Sequence, residues 1–239
     1  LNVGVVYMKE NHEFRWGGMA GVGALVLAFI GRLIMGNAPR ITESTTTIAG
    51  YLSQYRAQVL MGALLYAIAT VLFLWFGVAL ATAFRRADES GDAPALVLAG
   101  YILISVIGFV GLSVFAGMTY AMTAHRALLP IAAGPYTALT AMGTISGIAV
   151  AVPFGASAVA IMRTHVFPVW MAWFALLVAA LNVLAAFAVG ITGGVLAPDG
   201  LLVGYVPGVL TGLWVLAASG LLIREHLPIP TAGARPVMG

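Results

Sequence analysis

The sequence predicts an all-α membrane bundle, with six transmembrane helices and a short amphipathic helix between the first two. Three observations predict it. The 239 residues are 62% hydrophobic and only 8% charged, with a mean hydropathy of +1.03, whereas soluble domains carry about 25% charged residues. The apolar residues gather into six runs, about 17–36, 58–83, 94–123, 138–162, 167–190 and 201–223. Each is long enough to cross a hydrocarbon core about 30 Å thick. Finally, all eight acidic residues, Glu10, Glu13, Glu43, Asp88, Glu89, Asp92, Asp199 and Glu225, fall outside the runs. A surface this apolar needs lipid as its solvent. The chain reads as one integral membrane domain over residues 1–239, with no heptads and no internal repeat.

The first run is flanked by Lys9 and Arg15. It is longer than the core of a signal peptide, and five more runs follow, so it is taken as a span. Next comes the longest polar interruption, residues 37–56. Pro39 discourages helix at Ala38. Ser44 and Thr45 are good N-cap residues, and Glu43 suits the positive end of a helix. Ile48, Tyr51, Leu52, Tyr55 and Val59 share one helical face, opposite Ser53, Gln54 and Arg56. This spacing predicts a helix over 47–57, lying at the membrane interface with Ile48, Tyr51, Leu52 and Tyr55 turned toward the bundle or lipid. An ordinary connecting loop is the alternative.

The later boundaries are marked by charge, glycine and proline. Arg85 and Arg86 end the second run, and Asp88 to Pro94 form a polar turn. His125 and Arg126 close the third run, before a loop with Pro130, Gly134 and Pro135. Arg163, His165 and Pro168 make the next turn, and Gly193, Gly194, Pro198, Asp199 and Gly200 separate the last two runs. Six spans put both ends of the chain on one side. With the termini in the cytoplasm, Lys9, Arg15, Arg85, Arg86, Arg163, Arg224 and Arg235 lie inside, against Arg32, Arg40, Arg56 and Arg126 outside. That is the bias of the positive-inside rule, and a cell-membrane location follows. Trp16, Trp170 and Trp173 fall at inner ends, and Tyr51, Tyr55, Tyr120, Tyr136 and Tyr205 at outer ends, where interfacial aromatics belong.

A first apolar span, then Ile48-Ala49-Gly50-Tyr51-Leu52-Ser53-Gln54-Tyr55-Arg56, then a long run carrying Leu74-Trp75-Phe76 and ending at Arg85-Arg86, resembles a group of small multi-pass membrane proteins of actinobacterial type. That group is known only under a domain-of-unknown-function label. The resemblance covers roughly residues 17–90. It implies a fold and a membrane location, and no activity.

The sequence points to no catalytic residue, metal site or cofactor. Without cysteine there are no disulfides, thiolate ligands or thiol nucleophiles. The four histidines, His12, His125, His165 and His226, have no i, i+4 pairing and none lies mid-span. With no acid at membrane depth, an ion-coupled transporter is disfavoured. A net charge of +3 is too small to argue for nucleic acid; membrane lipids are the expected partners, with a homo-oligomer or another membrane protein as a further one.

Two sets of candidates remain. Arg40, Tyr51, Tyr55, Arg56, His125 and Arg126, with Glu43 and Asp199, would converge outside if residues 37–57 fold over the bundle. Arginine beside tyrosine suits a lipid headgroup or another anionic amphiphile, and equally suits plain interfacial anchoring. Asn182, the one amide deep in a span, would either bond a neighbouring helix or contact a ligand. Gly143, Gly147 and Gly155 in the fourth run and Gly200, Gly204, Gly208 and Gly212 in the sixth form small-residue stripes. Their expected role is close helix packing within the chain, or at a dimer interface, with Gly143, Gly147, Gly204 and Gly208 inaccessible. The functional expectation is a non-enzymatic ligand- or lipid-binding or accessory subunit. The alternative is a small-molecule permease with a site between spans three, four and six, near Thr140, Thr144 and Ser146. An intramembrane enzyme comes third, for want of a paired base and nucleophile.

Overall fold

A computed structural model describes residues 3–191 and 193–224, with side chains from Phe14 onward except that of Arg126. Lipid offers no hydrogen bonds, so each spanning segment must satisfy its backbone internally as helix. Among the described residues, six segments are long and apolar enough to cross: Phe14–Met35, Arg56–Ala87, Ala93–Ala124, Ala133–Thr164, Val169–Gly190 and Leu201–Ile223. The protein is a six-span integral membrane protein.

The helix ends follow from local chemistry. Helix α1 (Val3–Met35) stops at Gly36, whose φ of +65° is a left-handed cap that suits glycine. Helix α2 (Thr45–Gln54) starts at Ser44, whose Oγ accepts the Thr47 N–H at 3.2 Å. It is shorter than the expected 47–57 segment, because the chain breaks at Tyr55 and restarts as α3 (Arg56–Ala87). Arg85 and Arg86 sit in the last turn of α3, where the helix dipole favours cations. Helix α4 (Ala93–Ala124) opens with Pro94 in its first turn, which has no helical partner for an N–H to lose. A 3₁₀ turn over Arg126–Ile131 replaces the expected loop.

Span four is two helices, α5 (Ala133–Ile145) and α6 (Gly147–Thr164), meeting at Ser146. It starts five residues earlier than the apolar run implied. Helix α7 (Val169–Ala186) continues as a 3₁₀ turn over Phe187–Gly190. Span six is also divided, into α8 (Leu201–Gly204) and α9 (Val206–Ile223). Pro207 therefore stands in the first turn of α9 and does not kink a continuous helix.

The spans form a closed ring in chain order: α1 packs on α3, α3 on α4, α4 on α6, α6 on α7, α7 on α9, and α9 back on α1. The centre is filled by Phe76, Tyr101, Phe154 and Trp214, all buried. Phe154 meets Trp214 edge to face at 5.0 Å, and Trp214 Nε1 donates to Met171 O at 3.0 Å. The middle of the ring is thus a packed core. Large apolar side chains face outward instead, such as Phe29, Leu33, Trp173 and Leu184, each more than 60% exposed. In water such a surface would aggregate; in lipid it is matched to its solvent.

The glycines that bring helices together are mostly not those of the two stripes. A Cβ at Gly17 would strike Ala79, at Gly77 Tyr101, at Gly100 Pro153, and at Gly21 Ser219 and Phe76. Of the stripe residues Gly147 behaves this way, against the backbone oxygen of Asn182. Among the described residues, Gly143, Gly155 and Gly208 face open space, and Gly200 and Gly204 lie against the loop before α8. Gly212 meets only the tip of Leu25, at 3.5 Å. The expectation that Gly143, Gly204 and Gly208 are inaccessible is corrected: all three are exposed. Spacing four apart puts residues on one helical stripe, but helix rotation decides whether that stripe meets a helix or a cleft.

These contacts separate two classes of glycine. Gly100→Leu drives a side chain into Pro153, and overpacking of this kind costs about 1–3 kcal/mol. At Gly155 an added Cβ meets nothing within 4 Å, which leaves room for Leu. Melting temperatures of purified protein in detergent should fall for the first and hold for the second. Tyr101→Phe should also hold or rise, because the buried Tyr101 hydroxyl has no hydrogen-bond partner to lose.

Candidate functional site

The ring is tight on one side of the membrane and loose on the other. Helix α6 buries nine residues, whereas α5 buries only Tyr136. The segment before α2, α2 itself and the loop before α8 cover this looser end, called here the α2 side.

The cover is tied down by specific bonds. Tyr136 Oη donates to Pro39 O at 2.8 Å, Tyr51 Oη to Met35 O at 2.9 Å, and the Ile41 N–H to Asp199 Oδ2 at 3.2 Å. Ile48, Leu52 and Val59 are fully buried against Met118, Met122 and Tyr136. The apolar face of α2 therefore turns toward the bundle, one of the two orientations expected of it. Tyr55 is the exception to the expected face: the chain breaks there and leaves it 50% exposed.

Arg32 lies at the centre of this cover. It stands in the last turn of α1 and donates to Gly36 O and, at 3.3 Å, to Tyr205 Oη. It also acts electrostatically on the hydroxyls of Tyr51, Tyr66 and Tyr136. No carboxylate pairs with it among the described residues. Burial pushes the Tyr51 pKa above the ordinary tyrosine value of 10.0, and Arg32 opposes part of that rise.

Two recesses flank α5. One is a groove of about 420 Å³ between α3, α4 and α5. Its walls are mostly apolar: Met35, Ile104, Ile107, Leu112, Phe115, Leu139 and Met142, with Tyr66 and Thr70. The other is a cleft of about 400 Å³ between span four, α7 and span six. It is bordered by Thr140, Thr144, Ser146, Asn182, Gly143, Gly147, Gly204 and Gly208, and by no charged side chain. Gly143 and Ser146 belong to both recesses, so span four is the wall between them.

The sequence-derived candidates are distributed as follows. Tyr51 lies under the cover, with the Tyr55 ring 6.0 Å away. The Arg56 guanidinium stacks over Tyr120, 4.7 Å from the ring centroid. Arg40 and His125 are exposed, and Arg40 contributes its backbone N–H to Glu43 Oε1 at 3.1 Å. The side chain of Arg126 lies outside the described residues. Asn182 is apart from this group, inside the bundle, where Nδ2 donates to Val178 O at 2.9 Å and to Thr211 Oγ1 at 3.3 Å. The interhelical bond expected of it is therefore present. Arg32 is the residue that sequence reasoning passed over. The signal was there: an arginine one turn from the end of an apolar span must find acceptors or anions nearby. Among the described residues, no three of His, Asp and Glu gather as a metal set would.

No protein-family model, curated protein or solved structure matches the chain.

Tyr51 gives the cover an alkaline limit. Its folded pKa is raised, so its contribution to stability is complete below pH 10.0, the unfolded value, and is lost as pH climbs through the folded value. The melting temperature should hold up to about pH 10 and fall as pH rises above it, and Tyr51→Phe should show a smaller fall over the same range.

Proposed function

We propose that this six-span protein is a non-enzymatic lipid-binding subunit of the cell membrane, taking an amphiphile with one chain in the α3–α4–α5 groove and an anionic head near Arg32. The observation that carries this reading is the juxtaposition itself. An apolar groove of about 420 Å³ opens between helices, and Met35 and Tyr66 on its wall connect it to the arginine cover. Tyr66 is within electrostatic reach of Arg32, and the carbonyl of Met35 holds Tyr51. In lipid an apolar groove gains little by binding an apolar chain as such, since acyl tails are its ordinary solvent. Selectivity has to come from the head, and Arg32, which has no carboxylate partner among the described residues, supplies it through bidentate, charge-assisted hydrogen bonds.

In this reading the α2 side faces away from the cytoplasm and both termini face into it. The basic bias of Lys9, Arg15, Arg85, Arg86, Arg163, Arg224 and Arg235 supports that orientation. The exposed Trp16, Trp170 and Trp173 at the same ends are consistent with it as interfacial anchors.

Two experiments test the reading. Native mass spectrometry of gently purified protein should retain an anionic lipid in preference to a zwitterionic one. Gly108→Phe, which fills the groove at a position where a Cβ meets only Thr70 at 3.6 Å, should abolish that retention. Equal retention of both lipid classes, or an unaffected Gly108→Phe, would remove the proposal. For orientation, tags at either terminus of the protein in sealed cells should resist external protease; digestion at either end defeats the assignment.

A further inference from the structure

We infer that the cleft between span four, α7 and span six is a second, separate site, built for an uncharged group rich in hydroxyls, such as a polyol or sugar. The argument starts from Asn182, which borders the cleft and is 92% buried, being 8% exposed. Its Nδ2 is engaged by Val178 O and Thr211 Oγ1, which fixes the amide orientation, because only a donor suits a carbonyl. Its Oδ1 accepts no hydrogen bond among the described residues. Nor is Oδ1 sealed: among the described residues, the polar side-chain atoms that are sealed without a partner are the Tyr101 hydroxyl and Ser219 Oγ. The Asn182 oxygen is therefore not sealed by protein, and the recess that Asn182 borders is the cleft.

The other polar groups there have the same character. Thr140 donates to Tyr136 O at 3.2 Å, Thr144 to Thr140 O at 2.9 Å and Ser146 to Gly143 O at 2.6 Å. Each hydroxyl has spent its proton on its own helix, so lone pairs are what remain for a ligand. Pro207 adds to this, because it has no N–H to give the carbonyl four residues back, that of Val203, and both residues border the cleft. The lining is thus rich in acceptors. It holds no charge to compensate a cation or an anion at this depth. A ligand that satisfies it must donate several hydrogen bonds and be neutral, and about 400 Å³ suits a small polyhydroxylated molecule. The exposed Gly143, Gly204 and Gly208 then have a purpose other than helix contact: without side chains they keep the cleft open. The chain end of the cleft, at Pro198 and Gly204, lies on the α2 side, so the ligand enters there, either as a free solute or as the sugar head of a lipid.

The full-length protein in nanodiscs provides the test. Binding of glucose and of myo-inositol would be measured by ligand-observed NMR, in discs of phosphatidylcholine with and without a glucosyl diacylglycerol. Permethylated glucose, which has acceptors but no donors, is the control. Free glucose or inositol should bind and permethylated glucose should not; alternatively, cross-linking should show only the glucosyl head in the cleft, which identifies the lipid as the source. Gly208→Leu, whose Cβ meets nothing within 4 Å and whose longer side chain would occupy the cleft that Gly208 borders, should abolish binding. Thr144→Val, which removes one acceptor, should weaken it about ten-fold, the equivalent of one hydrogen bond to a buried group. Four results would overturn the inference: no binding of any sugar or glucosyl head, equal binding of the permethylated sugar, unchanged binding in Gly208→Leu, or unchanged binding in Thr144→Val. Loss of glucose binding in Gly208→Leu with anionic lipid still retained separates this site from the groove.

Discussion

Close approach of backbones is what holds this ring together. Between helices in lipid there is no water-driven hydrophobic force, so association depends on dispersion contact and on hydrogen bonds, both of which need short distances. Small residues supply them around most of the ring. Gly17 admits Ala79 and joins α1 to α3; Gly77 admits Tyr101 and joins α3 to α4; Gly100 admits Pro153 and joins α4 to α6. Gly147 then brings α6 onto the Asn182 backbone in α7, and Gly21 seats Ser219 of α9 against α1. The remaining junction, α7 to α9, is closed by hydrogen bonds from Trp214 to Met171 O and from Asn182 to Thr211.

Where that close contact ends, the recesses begin. Gly147 is the stripe glycine at which span four comes closest to a neighbour, the Asn182 backbone oxygen. One residue before it, at Ser146, the helix breaks, and α5 continues with one buried residue. An apolar groove opens on one side of α5 and a polar cleft on the other. The same span therefore serves as core on one side of the membrane and as a partition on the other. The two recesses differ because their walls differ: Ile104, Ile107, Leu112 and Phe115 of α4 face the groove, whereas Asn182 of α7 and the glycines of span six face the cleft.

The polar cover on the α2 side solves a separate problem. Three loops end there, and an arginine lies one turn inside the first span. Arg32 is held by the carbonyl of Gly36 and the hydroxyl of Tyr205, which joins the first span to the last. Tyr51 and Tyr136 then fasten α2 and its leading segment to α1 and α5 through main-chain carbonyls. Tyrosine suits this place, with a ring that packs on apolar neighbours and a hydroxyl that reaches the backbone.

Hydropathy alone determined the lipid solvent, the six spans and their order, because the transfer of apolar side chains is nearly a sum over residues. Local chemistry determined α2: the Ser44 cap and the spacing of Ile48, Tyr51 and Leu52 depend on neighbours within two turns. The break at Tyr55, the importance of Arg32 and the fate of the glycines were decided by tertiary structure. A stripe of glycines specifies a narrow helical face, but not the direction in which that face turns. Gly143 and Gly208 have the spacing of packing residues and border a cleft, while Gly77 and Gly100, in no stripe of that kind, carry contacts. Likewise Asn182 could be singled out as a buried amide, but its free oxygen exists only because Val178 and Thr211 occupy its nitrogen. Rotation of one helix against another depends on all the contacts along both at once, and no single segment of the sequence contains that information.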